Sequence, residues 1–210
     1  MAADQAAGLR RRRAARVAHR VQLVSASPSV AHRLLDALGR QGYSTLLVDV
    51  QGRQFAGAAR SLFDWRQQLA RRQPHLLPLD GGDGWYAPGL AADADLSVLA
   101  ARYDCLVFDC DPAVPTASLP PAPQTLLLEV LPAGLQSAYA WLKTCAHHRW
   151  DAEMALFGEA AAGMHLRAAC RQFLGEAFAQ KLGNPLREAD AFAALAVRMA
   201  GEETGPRAVA

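Results

Sequence analysis

Residues 21–49 carry the pattern strand, short loop, helix, strand, the unit with which many α/β domains begin. Val21-Gln22-Leu23-Val24 reads as the strand, and Ser25-Ala26-Ser27-Pro28-Ser29 as the loop. Ser27 is placed as an N-cap and Pro28 at the first helical position. Val30, Leu34, Leu35 and Leu38 then recur at helical spacing, and Gly42 stops the helix before the strand Thr45-Leu46-Leu47-Val48. A loop in this place that grips a phosphate needs glycines to turn backbone N–H groups toward the anion. It also needs a lysine for the phosphates and a Ser/Thr for Mg²⁺. The loop from Ser25 to Ser29 has neither glycine nor lysine, and the chain's two lysines, Lys143 and Lys181, lie far downstream. The opening unit therefore predicts a nucleotide-type α/β fold from which the phosphate chemistry has been removed.

The rest of the chain continues the alternation. Helical spacing covers residues 58–72, then Leu76-Leu77-Pro78-Leu79 reads as a short strand and Leu96, Leu99 and Ala100 as a further helical face. Cys105-Leu106-Val107-Phe108-Asp109 and Thr125-Leu126-Leu127-Leu128-Glu129-Val130 are nearly continuous apolar runs, as in strands covered on both faces. A proline-rich loop (Pro112 to Pro123) joins them, and a helix over 134–147 follows. Met154 to Phe157 is a further candidate strand. Leu166, Cys170, Phe173, Leu174 and Phe178 predict one long helix, and Pro185 separates it from a last helix over 186–200. Strands alternating with helices predict a mostly parallel sheet with helices on both faces. The four segments Val21–Val24, Thr45–Val48, Cys105–Phe108 and Thr125–Val130 are expected at its centre. With 210 residues and 51% apolar content, one domain with a sizeable core is expected.

Charge is unevenly distributed. Residues 1–20 hold six arginines against Asp4, a charge of +5, so the remainder carries −3 within a net +2. A basic arm on a mildly acidic body predicts a tail that contacts something acidic. No aromatic is interleaved with the arginines, which argues against single-stranded nucleic acid as the partner. The basic start has no apolar h-region and no apolar run approaches ~18 residues, so a cytosolic protein is expected. The last helix sets Arg187 and Arg198 against Glu188 and Asp190, not the basic polar face of a membrane-surface helix. Any membrane association is expected to be indirect. Cys105, Cys110, Cys145 and Cys170 show no C-x-x-C spacing and read as buried free thiols. Alternation along a strand points Cys105 and Cys110 to opposite faces. Cys145, His147 and His148 lack convincing metal-ligand partners, so no metal site is expected.

Order and spacing also carry a resemblance. Gln41-Gly42-Tyr43-Ser44-Thr45-Leu46-Leu47-Val48-Asp49 resembles the G-x-x-V-L-L-x-D that opens the second strand of MinD/ParA-type deviant-Walker ATPases. Leu77-Pro78-Leu79-Asp80-Gly81-Gly82 resembles their L-x-V-x-P-G-G stretch. Tyr103-Asp104 through Asp109 to Pro112 resembles their Y-D-x-x-x-x-D-x-x-P switch strand. Leu131-Pro132 with Ser137 to Lys143 is similar to a run of the flagellar-number regulator branch, FlhG (also called FleN). The N-terminus, Asp4-Gln5-Ala6-Ala7-Gly8-Leu9-Arg10, resembles that branch's D-Q-A-x-x-L-R helix. The resemblance spans about residues 21–182 plus this motif. It implies an arm over 1–20 that stimulates the signal-recognition-type GTPase FlhF, a MinD/ParA-like domain over 21–182 and a C-terminal helix over 185–200. By resemblance Asp4, Gln5, Ala6, Leu9 and Arg10 form the partner-binding set. A flagellar transcription factor or switch-ring protein is a further implied partner, and the cell pole an implied location. A helix of about ten residues is marginal alone, so this segment is expected to order on docking.

The departures from the family fall together. Ser25 to Ser29 replace its G-K-G-G-V-G-K-T loop with a shorter run, Gln51 replaces the second Asp of its D-A-D, and Cys110 replaces the Thr after Asp109. Hydrogen bonds to charged groups contribute roughly 1.5–3 kcal/mol each, and about 1.4 kcal/mol is tenfold in affinity. Three lost contacts move a micromolar nucleotide toward the millimolar range. Ser25, Ser27, Ser29, Asp49 and Asp109 are the vestigial nucleotide site, with no catalytic residue and no ATP or Mg²⁺ cofactor expected. Two other readings are a degenerate scaffold in polysaccharide secretion or cell-division control, and a divergent weak ATPase.

Overall fold

The computed structural model describes residues 18–49, 76–78, 103–113 and 123–204. The predicted helical patterns over 58–72 and 96–100, most of the proline-rich loop and residues 1–17 of the N-terminal arm lie outside the described residues, whereas His19 and Arg20, expected in the arm, belong to the first strand. Six strands form one sheet: β1 (His19–Val24), β2 (Thr45–Asp49), β3 (Leu76–Pro78), β4 (Cys105–Cys110), β5 (Thr125–Val130) and β6 (Glu153–Gly158). Their order is β3-β2-β4-β1-β5-β6, and every pairing is parallel. The four segments expected at the centre are the contiguous inner strands β2-β4-β1-β5. Five helices accompany them among the described residues: α1 (Pro28–Arg40), α2 (Leu135–His147), α3 (Ala160–Leu174), α4 (Glu176–Lys181) and α5 (Glu188–Thr204).

Strand parity assigns the two layers. Val21, Leu23, Leu47, Cys105, Val107 and Leu127 pack with Val30, Leu34 and Leu38 of α1 and with Phe192, Leu195 and Met199 of α5. Leu46, Val48, Leu106, Phe108, Leu126, Leu128 and Leu156 pack with Trp141 and Leu142 of α2 and with Leu166 and Cys170 of α3. Alternate side chains of a strand leave on opposite faces, so a run apolar at every position is a strand with both faces covered. Cys105 and Cys110 accordingly lie in opposite layers, and all four cysteines are free and buried. The last helix is a core helix on one of these faces.

Among the boundaries that differ from the sequence expectation, two concern helices near the C-terminus. The long helix expected through Leu166 to Phe178 is two helices, because Gly175 takes φ 98° between α3 and α4, where a helix cannot continue. The last helix begins at Glu188, not Leu186. Leu186 N–H donates to Leu156 O (2.9 Å), and its own carbonyl accepts from Gly158 N–H (3.1 Å). Leu182 and Leu186 form parallel bridges to Met154 and Phe157, so this segment covers the outer edge of β6.

Candidate functional site

In an open parallel sheet, ligands sit outside the carboxyl ends of strands where successive connections diverge. Here β1 leads through α1 to β2 on one side, while its neighbour β5 leads through α2 to β6 on the other. The crevice between the ends of β1 and β5 is therefore the place to look, and the Ser25–Ser29 loop lies there.

The loop leaves the sheet gradually. Ser25 is fully buried, its N–H donating to Cys110 O (3.2 Å) and its hydroxyl to Ser27 O (3.2 Å). Ala26 N–H, the next donor, is taken by Glu129 Oε2 of β5 at 2.7 Å. Pro28 has no N–H to offer, and Val30 N–H turns back to Ser27 O (3.1 Å). Ser27 is the N-cap residue in extended conformation, as expected, yet its side chain makes no capping bond. Its hydroxyl instead pairs with that of Ser29 (2.8 Å), and Ser29 Oγ accepts from Arg33 Nη1 (2.9 Å). Arg33 reaches on to α5, with Nε and Nη2 donating to Glu188 Oε1 (2.6 Å) and Oε2 (2.8 Å). The hydrogen bond to Glu188 holds the guanidinium even above its usual high range. Slight desolvation opposes this, and the charges of Glu188 and then Glu129 add to it.

Of the residues nominated from sequence, Ser25, Ser27 and Ser29 do lie together at the crevice, bonded to one another and to α1. Asp109 is fully buried, and Asp49 stands beside it in register between β2 and β4. Cys110 is buried with its thiol 3.4 Å from Gln22 Nε2. Asp4, Gln5, Ala6, Leu9 and Arg10 lie outside the described residues. Sequence reasoning did not single out Glu129 and Arg33 for this site. One signal was available: Glu129 is the lone charge in the run Thr125 to Val130, at its carboxyl end.

The remaining cluster of metal-type residues does not converge. Cys145 is buried under α2, and that burial pushes its thiol up to about 12. His147 and His148 are exposed and stack edge-on with centroids 5.2 Å apart. No helix among the described residues is long and apolar enough to cross a membrane.

No family model matches the chain, and no curated protein matches it. Among solved structures, a de novo designed protein described as a P-loop NTPase fold matches 92% of this chain and 100% of its own. That match has 8% identity and a TM-score of 0.37.

Proposed function

We propose that this chain is a non-catalytic MinD/ParA-like regulator of flagellar number or placement, acting on a signal-recognition-type GTPase of the FlhF kind through its N-terminal segment. One observation carries the non-catalytic part: the loop amide that should face a phosphate, Ala26 N–H, is held by the chain's own Glu129 at 2.7 Å. A phosphate brought there would set its charge against that carboxylate, and the loop has no lysine to offset the repulsion. The regulatory part is supported by the run Asp4-Gln5-Ala6-Ala7-Gly8-Leu9-Arg10 ahead of β1. In this reading Gln5 orients water or nucleotide in the partner. Leu9 anchors the segment, and Arg10 meets acidic or phosphate groups. The folded body holds the arm in place and offers a surface to a second flagellar partner.

The test is GTP turnover by the cognate GTPase with the full-length protein and with a peptide of residues 1–20. Groups supplied by a partner change phosphoryl transfer by orders of magnitude, so stimulation is expected from both. Gln5→Ala should lower the maximal rate, while Leu9→Ala should raise the concentration needed. Substituting Arg11 to Arg13 should reduce affinity in a salt-dependent way and leave the maximal rate unchanged. If neither protein nor peptide changes turnover, the activator reading is wrong.

A further inference from the structure

The Ala26–Glu129 contact, on which the non-catalytic reading also rests, belongs to a wider arrangement at the carboxyl end of the sheet. Two carboxylates from distant parts of the chain converge on the β1–α1 turn. Glu129 comes from the end of β5, 103 residues from its partner Ala26, and Glu188 from the start of α5, 155 residues from Arg33. Glu129 spans the point where the β1 and β5 connections diverge. Its parity on β5 is that of Leu127, which packs in the α1/α5 layer, so it leaves the sheet on the side where Arg33 and Glu188 meet.

We propose that Glu129 is a built-in anion: its carboxylate takes the position and the donor that an exogenous oxyanion would otherwise claim, and so keeps the β1/β5 crevice closed without a ligand. Three features support this. The Ala26–Glu129 bond is short at 2.7 Å, as charge-assisted bonds are. Glu129 is the one charged residue of β5, a strand otherwise buried along its length. Its charge also acts on Arg33 of α1, less than the bonds of that guanidinium to Glu188 do, so removing it leaves chiefly the Ala26 donor without its partner. The arrangement is an occupying contact between two elements of one fold. Shape alone does not keep the crevice closed, because Ala26, Ser27 and Ser29 are exposed and the loop is open to solvent.

The experiment uses the full chain with Glu129→Ala and Glu129→Gln, comparing thermal midpoints in sodium phosphate and in sodium chloride of matched ionic strength. The wild-type midpoint should gain only the general stabilisation that phosphate, as an excluded anion, gives a folded chain. Glu129→Ala should melt several degrees lower in chloride and recover at least half of that loss in phosphate. Glu129→Gln, which keeps the volume and one acceptor, should lie between them and supplies the comparison if the alanine variant does not fold. Exchange of the Ala26 amide should quicken about tenfold in Glu129→Ala and slow again with phosphate. The proposal is overturned if phosphate stabilises wild type as much as the variants, since the crevice is then open. It is equally overturned if phosphate rescues neither variant, since Glu129 then stands in for nothing. GTPase stimulation is read separately, so failure here and failure of the regulatory reading are distinguishable.

Discussion

At the amino end of the sheet, Asp104 Oδ2 accepts from both the N–H (2.8 Å) and the hydroxyl (2.7 Å) of Ser44, while Gln124 Oε1 accepts from Arg20 N–H (2.8 Å). His19 Nε2 meets Thr125 Oγ1 at 3.0 Å. At the carboxyl end, Glu129 takes the Ala26 N–H and Asp111 Oδ1 takes the Ala113 N–H at 2.7 Å. Both ends use one device, a side-chain acceptor taking a backbone N–H at or beside a strand terminus. In open parallel sheets the amino end is the structural end and the carboxyl end keeps its loop donors for ligands. Here the ligand end is finished like the structural one. Substitutions at either end should therefore register as changes in stability, with little in nucleotide affinity to distinguish them.

The largest expected effect comes from the dry interior between the ends. Burial pushes the Cys145 thiol up to about 12 and the Cys170 thiol up to about 11 from an ordinary 9.0, and raises Cys105 in the same way. A raised thiol keeps its proton in the folded state after the unfolded chain has released its own. Folded protein then binds more protons than unfolded, and stability falls as pH rises. The contribution is intact below about pH 9 and is lost progressively toward about pH 11–12, at about 1.4 kcal/mol per pH unit for each thiol. Urea unfolding across that range should show this slope, and Cys145→Ala should make it shallower. An unchanged slope in that variant would mean that water reaches the sulfur and the α2/α3 layer is not sealed.

The two ends can then be compared directly. Asp104→Ala removes two bonds to Ser44 and should cost about 2 kcal/mol, whereas Glu129→Ala removes one and should cost about 1 kcal/mol. Chemical denaturation of both variants measures this. A neutral Glu129→Ala would separate the ends again and make the carboxyl end a ligand site at rest. A control lies between them in mid-strand. Gln22 is buried in β1 with its Nε2 on Cys110 Sγ at 3.4 Å and its Oε1 without a partner among the described residues. Gln22→Met has a similar shape and removes that carbonyl, so it should stabilise the protein by about 1 kcal/mol.

The sequence showed some of this comparison and hid the rest, for a physical reason. The inner strands were visible because a strand covered on both faces is apolar at every step, as Cys105 to Phe108 and Leu126 to Leu128 are. The opposite facing of Cys105 and Cys110 follows from parity alone. Gly42 was readable as a helix stop and has φ 85°. Gly175 was not, because Phe173, Leu174 and Phe178 continue a helical period straight across it. Leu186 looked like a helix start because its pairing with Leu156 and Gly158 is a contact between segments. The candidate site divides in the same way. Ser25, Ser27 and Ser29 are local and were found. Glu129 and Glu188 complete the site from 103 and 155 residues away, and no spacing rule connects an acid to a loop amide at that distance.

The smallest expected effect is the one that tests the ligand end most directly. Stabilisation by a ligand follows RT ln(1 + [L]/Kd). With no lysine or glycine in the Ser25–Ser29 loop and Ala26 N–H already engaged, Mg-ATP should bind no more tightly than about the millimolar range. At about 1 mM it then adds only about 0.4 kcal/mol, which is roughly one to two degrees in thermal midpoint for a domain of this size. Glu129→Ala should not enlarge the nucleotide shift beyond what inorganic phosphate gives, because the substitution returns only one loop donor. A wild-type shift of about ten degrees, or ATP turnover abolished by Asp109→Ala, would mean that Asp49 and Asp109 still hold a metal. The two ends of the sheet would then differ in kind.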